Sequence, residues 1–337
     1  MSEYFRPLIH TDDCRPLSAL ILAGGRLWFD HVEKLSRDQA PEILPVTELP
    51  YSWKERFCAQ RNPIAGVAMT APSIMGILNV TPDSFSDGGN FQSTDLAVAR
   101  TKELVQVGAD FIDIGGESTR PGALEIPIEE EIFRIEPVIK ALQGITTALS
   151  VDTRKAAVAE VALASGVKLV NDVSGFQFDP KLLPLCVAQS VPVCVMHSKG
   201  LPETMQSKPS YGNVVLDVYD FLEMQINNLQ SAGIPRSQII ADPGIGFGKT
   251  MRHNLALIKK ISLFHGLGVP LLLGMSRKGF IGKVTGEKEA QNRMIGSVAA
   301  AMVGVSQGVQ VFRVHDVKET RQAFDIWQST HFGDFYG

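Results

Sequence analysis

One pattern recurs eight times between Ser73 and His315: a short apolar run of strand type and length gives way to polar residues or glycine. The runs end at Val80, Gly115, Asp152, Asp172, His197, Asp242, Gly274 and His315, with helix-like segments between them. Ile132, Ile135, Ile139 and Leu142 form a helical apolar stripe, and so do Val215, Val218, Leu222, Ile226 and Leu229. Asp179-Pro180 reads as an N-cap followed by proline at the first helical position. Asp316-x-x-Glu319 has capping-box spacing at the start of the last helix. Runs that are apolar throughout suit parallel strands covered on both faces. Eight such units from Ser73 to the C-terminus fit the about 250 residues of a typical eight-unit barrel. A doubly wound open sheet competes, but the count of eight favours closure. The expected architecture is α/β: a TIM (β/α)8 barrel over residues 71–337, preceded by an N-terminal extension over residues 1–70.

The extension has a different character. Ala19 to Ala23, Gly24-Gly25 and then Arg26 to Phe29 read as a hairpin with a Gly-Gly turn. Pro41, Pro45, Pro50 and Pro63 among charged residues suggest an irregular connection. His10 and His31 stand alone and read as solvated or packed side chains. No catalytic constellation is visible here. The extension should pack on the barrel's surface or bottom face, and deleting residues 1–65 should lower stability or solubility more than turnover.

Composition narrows the function classes. In 337 residues, 45% hydrophobic and 20% charged content describe a globular protein with a sizeable core, and a net charge of -4 gives no basic footprint for nucleic acid. No apolar run approaches the ~20 residues of a membrane span, and the N-terminus lacks a secretory pattern. Cys14, Cys58, Cys186 and Cys194 form no C-x-x-C pair, and the last two sit in apolar surroundings. These features suit the cytoplasm.

In such barrels the chemistry lies at the C-terminal ends of the strands. Here those ends carry Asn79, then Asp113 and Glu117-Ser-Thr-Arg120, then Asp152, Asn171-Asp172, His197, Asp242, Ser276-Arg277-Lys278, and Arg313 with His315. Polar groups at nearly every strand end cost burial energy that a purely structural barrel would not spend. They fall into two sets. Arg120, Lys278, Arg313 and His315, with Asn79 and the acidic glycine-rich loop that follows it, suit phosphate oxygens. Asp152, Asn171 and Asp242 offer the fixed acceptors that hold a heterocycle bearing amino, ring N–H and keto groups. A ligand with a planar polar ring at one end and a phosphate at the other would use both sets. Gly244 to Thr250 imitates a P-loop, but Pro243 stands where that motif needs glycine. Its glycines suit a loop passing close to a ligand, with Phe247 as an apolar face. No zinc motif and no nucleophile elbow is present.

Six blocks together resemble the signatures of the dihydropteroate synthase family. They are Ile77 to Gly89 (ILNVTPDSFSDGG), Asp113 to Gly122 (DIGGESTRPG), Ser150 to Thr153 (SVDT), Asp242 to Lys249 (DPGIGFGK), Gly274 to Lys278 (GMSRK) and Arg313 to Val317 (RVHDV). The resemblance runs from about Ser73 to the C-terminus. It implies a TIM barrel that condenses 6-hydroxymethyl-7,8-dihydropterin diphosphate with 4-aminobenzoate, giving 7,8-dihydropteroate and diphosphate on the route to folate. By the same resemblance Asn79 would ligate the cofactor Mg2+. Thr119, Arg313 and His315 would contact the diphosphate. Asp152, Asn171, Asp242 and Lys278 would form the pterin pocket, and Arg120 and Ser276 would lie near the aminobenzoate. A sulfonamide should compete with that amine, and family analogy implies a homodimer.

No nucleophile motif is needed for this reaction. Diphosphate is a good leaving group, and the carbon it leaves is attached to an electron-rich ring. Gly279 stands where many relatives have Ser. Two other readings share the pterin residues: a barrel that transfers a methyl group from a folate to a corrinoid protein, and a pterin-binding paralogue without turnover. The first has no use for the Arg313/His315 pair or the Ser-Arg-Lys block.

Overall fold

A computed structural model describes residues 3–81, 90–119, 122–200, 205–206 and 209–333. Arg120 and the acidic, glycine-rich stretch from Pro82 to Gly89 lie outside these residues. The chain opens with β1 (Tyr4–His10), β2 (Leu20–Ile21), β3 (Trp28–Leu35) and β4 (Glu42–Pro45), followed by α1 (Tyr51–Cys58). Strand β3 pairs antiparallel with the other three. Eight strand–helix units follow: β5 (Ser73–Asn79) and α2 (Asn90–Gln106), β6 (Phe111–Gly115) and α3 (Ile128–Ala141), β7 (Ala148–Asp152) and α4 (Ala156–Ala164), β8 (Leu169–Asp172) and α5 (Leu182–Gln189), β9 (Val193–Met196) and α6 (Val214–Ala232), β10 (Ile239–Asp242) and α7 (Met251–Lys259), β11 (Leu272–Leu273) with α8 (Gly279–Thr285) and α9 (Met294–Val305), and β12 (Val311–Val314) with α10 (Val317–Phe332).

The eight strands form one parallel sheet in the order β10-β9-β8-β7-β6-β5-β12-β11. A parallel bridge between Ala241 and Leu271, with Ala241 N–H donating to Pro270 O at 2.9 Å, joins its two edges. The barrel is closed, and the open doubly wound sheet is excluded.

Strand alternation sorts the side chains into two cores. Met75, Phe111, Ala148, Leu169, Cys194, Ile240, Leu272 and Val311, one from each barrel strand, pack together with Ile64 and Met69. They lie near the strand starts, and they make an apolar floor. Residues of the other parity, such as Ile74, Ile112, Leu149, Val170, Val193, Ile239, Leu273 and Phe312, belong to the large cluster shared with the helices. Because successive side chains point to opposite faces, every residue an even number of positions above the floor also faces the interior.

Several local expectations are corrected. The β2–β3 hairpin exists, with Ile21 opposite Trp28, but its turn is wider than Gly-Gly. Leu22 N–H donates to Leu27 O, and the left-handed residues are Ala23 and Gly24. The proline-rich stretch is irregular only after Cys58, around Pro63; before that it holds β4 and α1, with Pro50 directly before the helix, where a missing N–H costs nothing. Helix α5 starts at Leu182, later than Asp179-Pro180 implies. Asp179 Oδ1 still accepts locally from Lys181 N–H at 2.9 Å, and its Oδ2 accepts from Ala156 N–H at 2.8 Å, at the start of α4. Asp316 makes no side-chain cap on α10, because its carboxylate is engaged by Arg277.

The extension holds the barrel from below and from the side. Ile64 and Val67 form a small bridge, and Ile64 and Met69 close the floor. Beside it, the C-terminal end of a 3-10 helix (Ile261–Leu267) carries three consecutive carbonyls that each meet an arginine. Arg61 donates to His265 O at 3.1 Å, Arg56 to Gly266 O at 3.2 Å, and Arg236 to Leu267 O. Cations at a helix C-terminus satisfy its orphan carbonyls and complement its dipole. Arg61 is 3% exposed, and burial, then the neighbouring Arg236, lowers its pKa to about 10. Among the described residues no helix is long and apolar enough to cross a membrane.

Met69 is 1% exposed, so Met69→Ala should cost about 2–5 kcal/mol. Urea denaturation should show that loss, and the KM values of the folded variant should stay within twofold of wild type.

Candidate active site

Two positions above the floor, the interior turns polar. Asp113 on β6, Ser150 on β7, Asn171 on β8, Asp242 on β10 and Arg313 on β12 share the floor's parity, and Asn79 and Asp152 lie one inward position higher. Arg313 reaches across this layer. Its Nε donates to Asp113 Oδ2 at 2.5 Å and its Nη2 to Asp152 Oδ2 at 2.6 Å. Asn171 Nδ2 donates to the same Asp113 oxygen at 3.0 Å. Burial works against the Arg313 charge, but Asp113 and Asp152 prevail and raise its pKa above the usual guanidinium value. Burial lifts Asp152 to about 7 despite the attraction of Arg313, with Asp113 adding to the rise. Asp113 Oδ1, Asp152 Oδ1 and Ser150 Oγ, all buried, have no hydrogen-bond partner among the described residues. Unpaired buried acceptors are costly, and these three face the interior, where a ligand's N–H groups could satisfy them.

Asp242 and Lys278 stand across from Arg313. A Cβ built on Gly274 would lie 3.9 Å from both Asp242 Oδ2 and Lys278 Nζ, and 3.8 Å from Arg313 Cβ. Glycine therefore leaves open a space that these three groups surround. Burial raises the pKa of Asp242, and Lys278 and the Gly244 N–H at 2.7 Å oppose the rise. Burial lowers Lys278 to about 8, with Asp242 opposing. The ammonium lies 4.6 Å from the Phe247 ring centre and donates to Ile245 O.

The loop after β10 can approach this closely because Gly244, Gly246 and Gly248 are all left-handed. A Cβ on Gly244 would fall 1.9 Å from His197 O, so no other residue fits there. Lys249 braces the loop from beneath, donating to Gly244 O at 2.9 Å and Phe247 O at 3.0 Å and meeting His197 Nδ1 at 2.7 Å. Burial, then Lys249, pushes His197 down to about 2, so its ring is neutral and serves as a support.

The outer rim holds the remaining groups. Asn79 ends β5 beside Gly115 and Asp152; a Cβ on Gly115 would lie 3.9 Å from Asn79 Oδ1 and 3.8 Å from Asp152 Oδ2. Ser276 Oγ meets His315 Nδ1 at 2.9 Å and accepts from the His315 N–H at 3.1 Å. A cleft of about 500 Å³ opens between α2 and these tips, lined by Asn79, Arg100, Arg277 and His315. Thr119 is half-buried in the segment after β6. Glu117 turns away from the cavity and accepts from Lys155 Nζ, Ile126 N–H and Arg154 Nε at 3.0 to 3.1 Å. It thereby ties together the two ends of the segment that carries Thr119.

The structure thus gathers Asn79, Asp152, Asn171, Asp242, Phe247, Ser276, Lys278, Arg313 and His315 at the C-terminal mouth of the barrel. Arg120 is outside the described residues. Sequence reasoning placed Asp113 at a strand end but not in the site. Its signal was an acid at the centre of Phe-Ile-Asp-Ile-Gly, on the same parity as the floor. Arg277 was quoted only as part of its block, and Arg100, on a helix face among other charges, gave no signal.

Comparison with known proteins agrees with this geometry. The pterin binding enzyme family pattern matches residues 75–315. A dihydropteroate synthase from Haemophilus influenzae is 44% identical over 263 residues, covering 78% of this chain and 95% of that one. Yersinia pestis dihydropteroate synthase, solved with a sulfonamide drug complex, superposes with a TM-score of 0.74 at 44% identity, over 78% of this chain and 96% of that one. The Xanthomonas albilineans enzyme, solved with 7,8-dihydropteroate, gives a TM-score of 0.73 at 39% identity, over 81% and 99%. Strand order, closure and these identities agree: the chain belongs to the dihydropteroate synthase family of pterin-binding enzymes.

Proposed function

We propose that the mouth of the barrel binds 6-hydroxymethyl-7,8-dihydropterin diphosphate and 4-aminobenzoate and joins them into 7,8-dihydropteroate, releasing diphosphate. The observation that carries this reading is the inward polar layer: Asp113, Asp152, Asn171 and Asp242 around Lys278 and Arg313, above an apolar floor. The unpaired Asp113 Oδ1 and Asp152 Oδ1 can accept from the pterin amino and ring N–H groups, and Lys278 can donate to its keto oxygen. The diphosphate then points to the rim, where Thr119, His315 and the cleft arginines are the donors; Arg313, expected on the diphosphate, is instead bonded to Asp113 and Asp152. Ser276 and Arg120 are assigned to the aminobenzoate, and Phe247 to the apolar flank of the pocket.

The chemistry follows from this placement. The bond between the methylene carbon and the bridging oxygen breaks, and both electrons leave with the diphosphate. Cationic donors at the rim stabilise that departing charge. Positive charge at the methylene spreads into the pterin ring, where buried carboxylates oppose it. The neutral aromatic amine attacks the carbon, forms the new N–C bond and loses a proton.

Mg2+ is the proposed cofactor. Asn79 Oδ1 beside the Asp152 carboxylate is an all-oxygen donor set, which suits an ion that binds through one or two protein oxygens, waters and substrate phosphates. Among the described residues no group of three His, Cys, Asp or Glu side chains could hold a metal alone, so substrate oxygens would complete the site. When bound, the ion supplies charge neutralisation for the diphosphate. A cytoplasmic setting fits the free, fully buried thiols of Cys186 and Cys194. The outer face of α9 exposes Ile295 (76%) and Val303 (42%), an apolar stripe suited to a homodimer. Sedimentation should give twice the chain mass; a monomer at micromolar concentration would refute the pairing.

Diphosphate release should require both substrates, and a sulfonamide should compete with 4-aminobenzoate. Arg313→Ala leaves Asp113 and Asp152 buried without their cation, which should cost about 3–5 kcal/mol of folding stability; with the polar layer dismantled, kcat/KM of the folded variant should also fall at least a hundredfold. Full activity in that variant, or release with the pterin substrate alone, would refute the reading.

Lys278 holds its proton below about pH 8. Affinity for the dihydropterin diphosphate should therefore fall as pH rises through about 8, by loss of the ammonium donor. Lys278→Gln should bind weakly and without that alkaline limb; a limb that persists would assign it to another group.

A further inference from the structure

The turn after β11 has a backbone conformation that a long side chain resists. Arg277 is left-handed, with φ +58°, a region that glycine enters freely and other residues enter only when their surroundings hold them there. It stands between Ser276 and Lys278, two groups assigned to the substrates.

Its holders come from two elements. Ser297 on α9 is buried, and its Oγ accepts from Arg277 N–H at 2.8 Å and donates to Arg293 O at 2.7 Å. Arg293 Nη1 in turn donates to Arg277 O at 3.1 Å. Both backbone polar groups of the strained residue are therefore satisfied from the start of α9. The Arg277 side chain pairs with Asp316, through Nε to Oδ2 at 3.1 Å and a second contact from Nη2. Ser276 is bonded to His315. Two consecutive residues of one strand tip are thus fastened to two consecutive residues of the next.

A serine hydroxyl that bonds the carbonyl four residues back is common in helices and often has no further meaning. Ser297 does more, because the same oxygen takes the N–H of the strained residue. If Arg277 relaxed to a right-handed or extended conformation, Ser276 and Lys278 would no longer face the cavity together.

We propose that Ser297 is a positioning residue: from α9 it holds the turn that aims Ser276 at His315 and Lys278 at the space beside Asp242. This rests on the pterin reading of Lys278. It concerns a residue that touches no substrate, and its effect passes only through the shape of the turn.

The test is a double-mutant cycle of Ser297→Ala and Arg277→Gly in the full chain. The readout is Kd for the dihydropterin diphosphate by calorimetry, whose stoichiometry reports the folded fraction. Ser297→Ala should weaken binding about tenfold, the scale of a buried donor left unpaired. In the Arg277→Gly background the same substitution should change Kd by less than twofold, because glycine adopts the left-handed turn unaided. A Ser297→Ala chain that binds within twofold of wild type overturns the proposal. So does an equal loss in both backgrounds, which would mark Ser297 as ordinary packing. A wild-type chain that binds no dihydropterin diphosphate overturns the pterin reading and this inference with it, and that result is distinguishable from either of the others.

Discussion

A single guanidinium organises the interior of this barrel. Arg313 enters from β12 and bonds Asp113 on β6 and Asp152 on β7, at 2.5 and 2.6 Å. Two carboxylates so deep in the barrel would not remain charged without a cation, and a cation there would not be tolerated without them. The arrangement is an unfavourable way to stabilise a fold, since well-packed apolar side chains of similar volume would often do as well or better. Its use is to keep several hydrogen-bond acceptors fixed in a buried pocket, with Asp113 Oδ1 and Asp152 Oδ1 unpaired among the described residues. Preorganised polar groups of this kind need little rearrangement when charge develops in a bound ligand.

That layer depends on what lies beneath it. Eight apolar residues, one per strand, with Ile64 and Met69 from the extension, keep water out of the lower barrel. The N-terminal residues that looked unrelated to the site in sequence therefore support it from below. Two arginines of the extension, Arg56 and Arg61, join it to the barrel wall through carbonyls at one helix end, where the barrel's own Arg236 takes the next carbonyl. Around the rim, neighbouring tips are tied pairwise: His197 to the glycine loop through Lys249, Ser276 to His315, and Arg277 to Asp316.

Much of this was legible before any coordinates. Eight apolar runs with polar ends forecast the closed parallel barrel, because strand ends are the one place where such a fold can spend burial energy on function. What the sequence hid was parity across strands. Asp113 lies inside its strand, not at its tip, and its meaning emerges only when the floor residues show which side is inward. The cap of the last helix was misread for a related reason. Asp316 has a side chain that suits a local cap, yet a tertiary partner, Arg277, claims its carboxylate, whereas Asp179 keeps its local bond to Lys181 N–H and adds one to Ala156. The prolines near residue 50 looked like loop punctuation, although one of them precedes a helix.

Arg313 and Asp113 therefore meet the pterin substrate as parts of one layer, the guanidinium holding one carboxylate oxygen so that the other can face the ring. A double-mutant cycle of Asp113→Asn and Arg313→Gln, read as Kd for the dihydropterin diphosphate, probes that coupling. Each single variant should bind at least about tenfold more weakly, and the double variant should be no worse than Arg313→Gln alone. Independent losses that simply multiply in the double variant would contradict it.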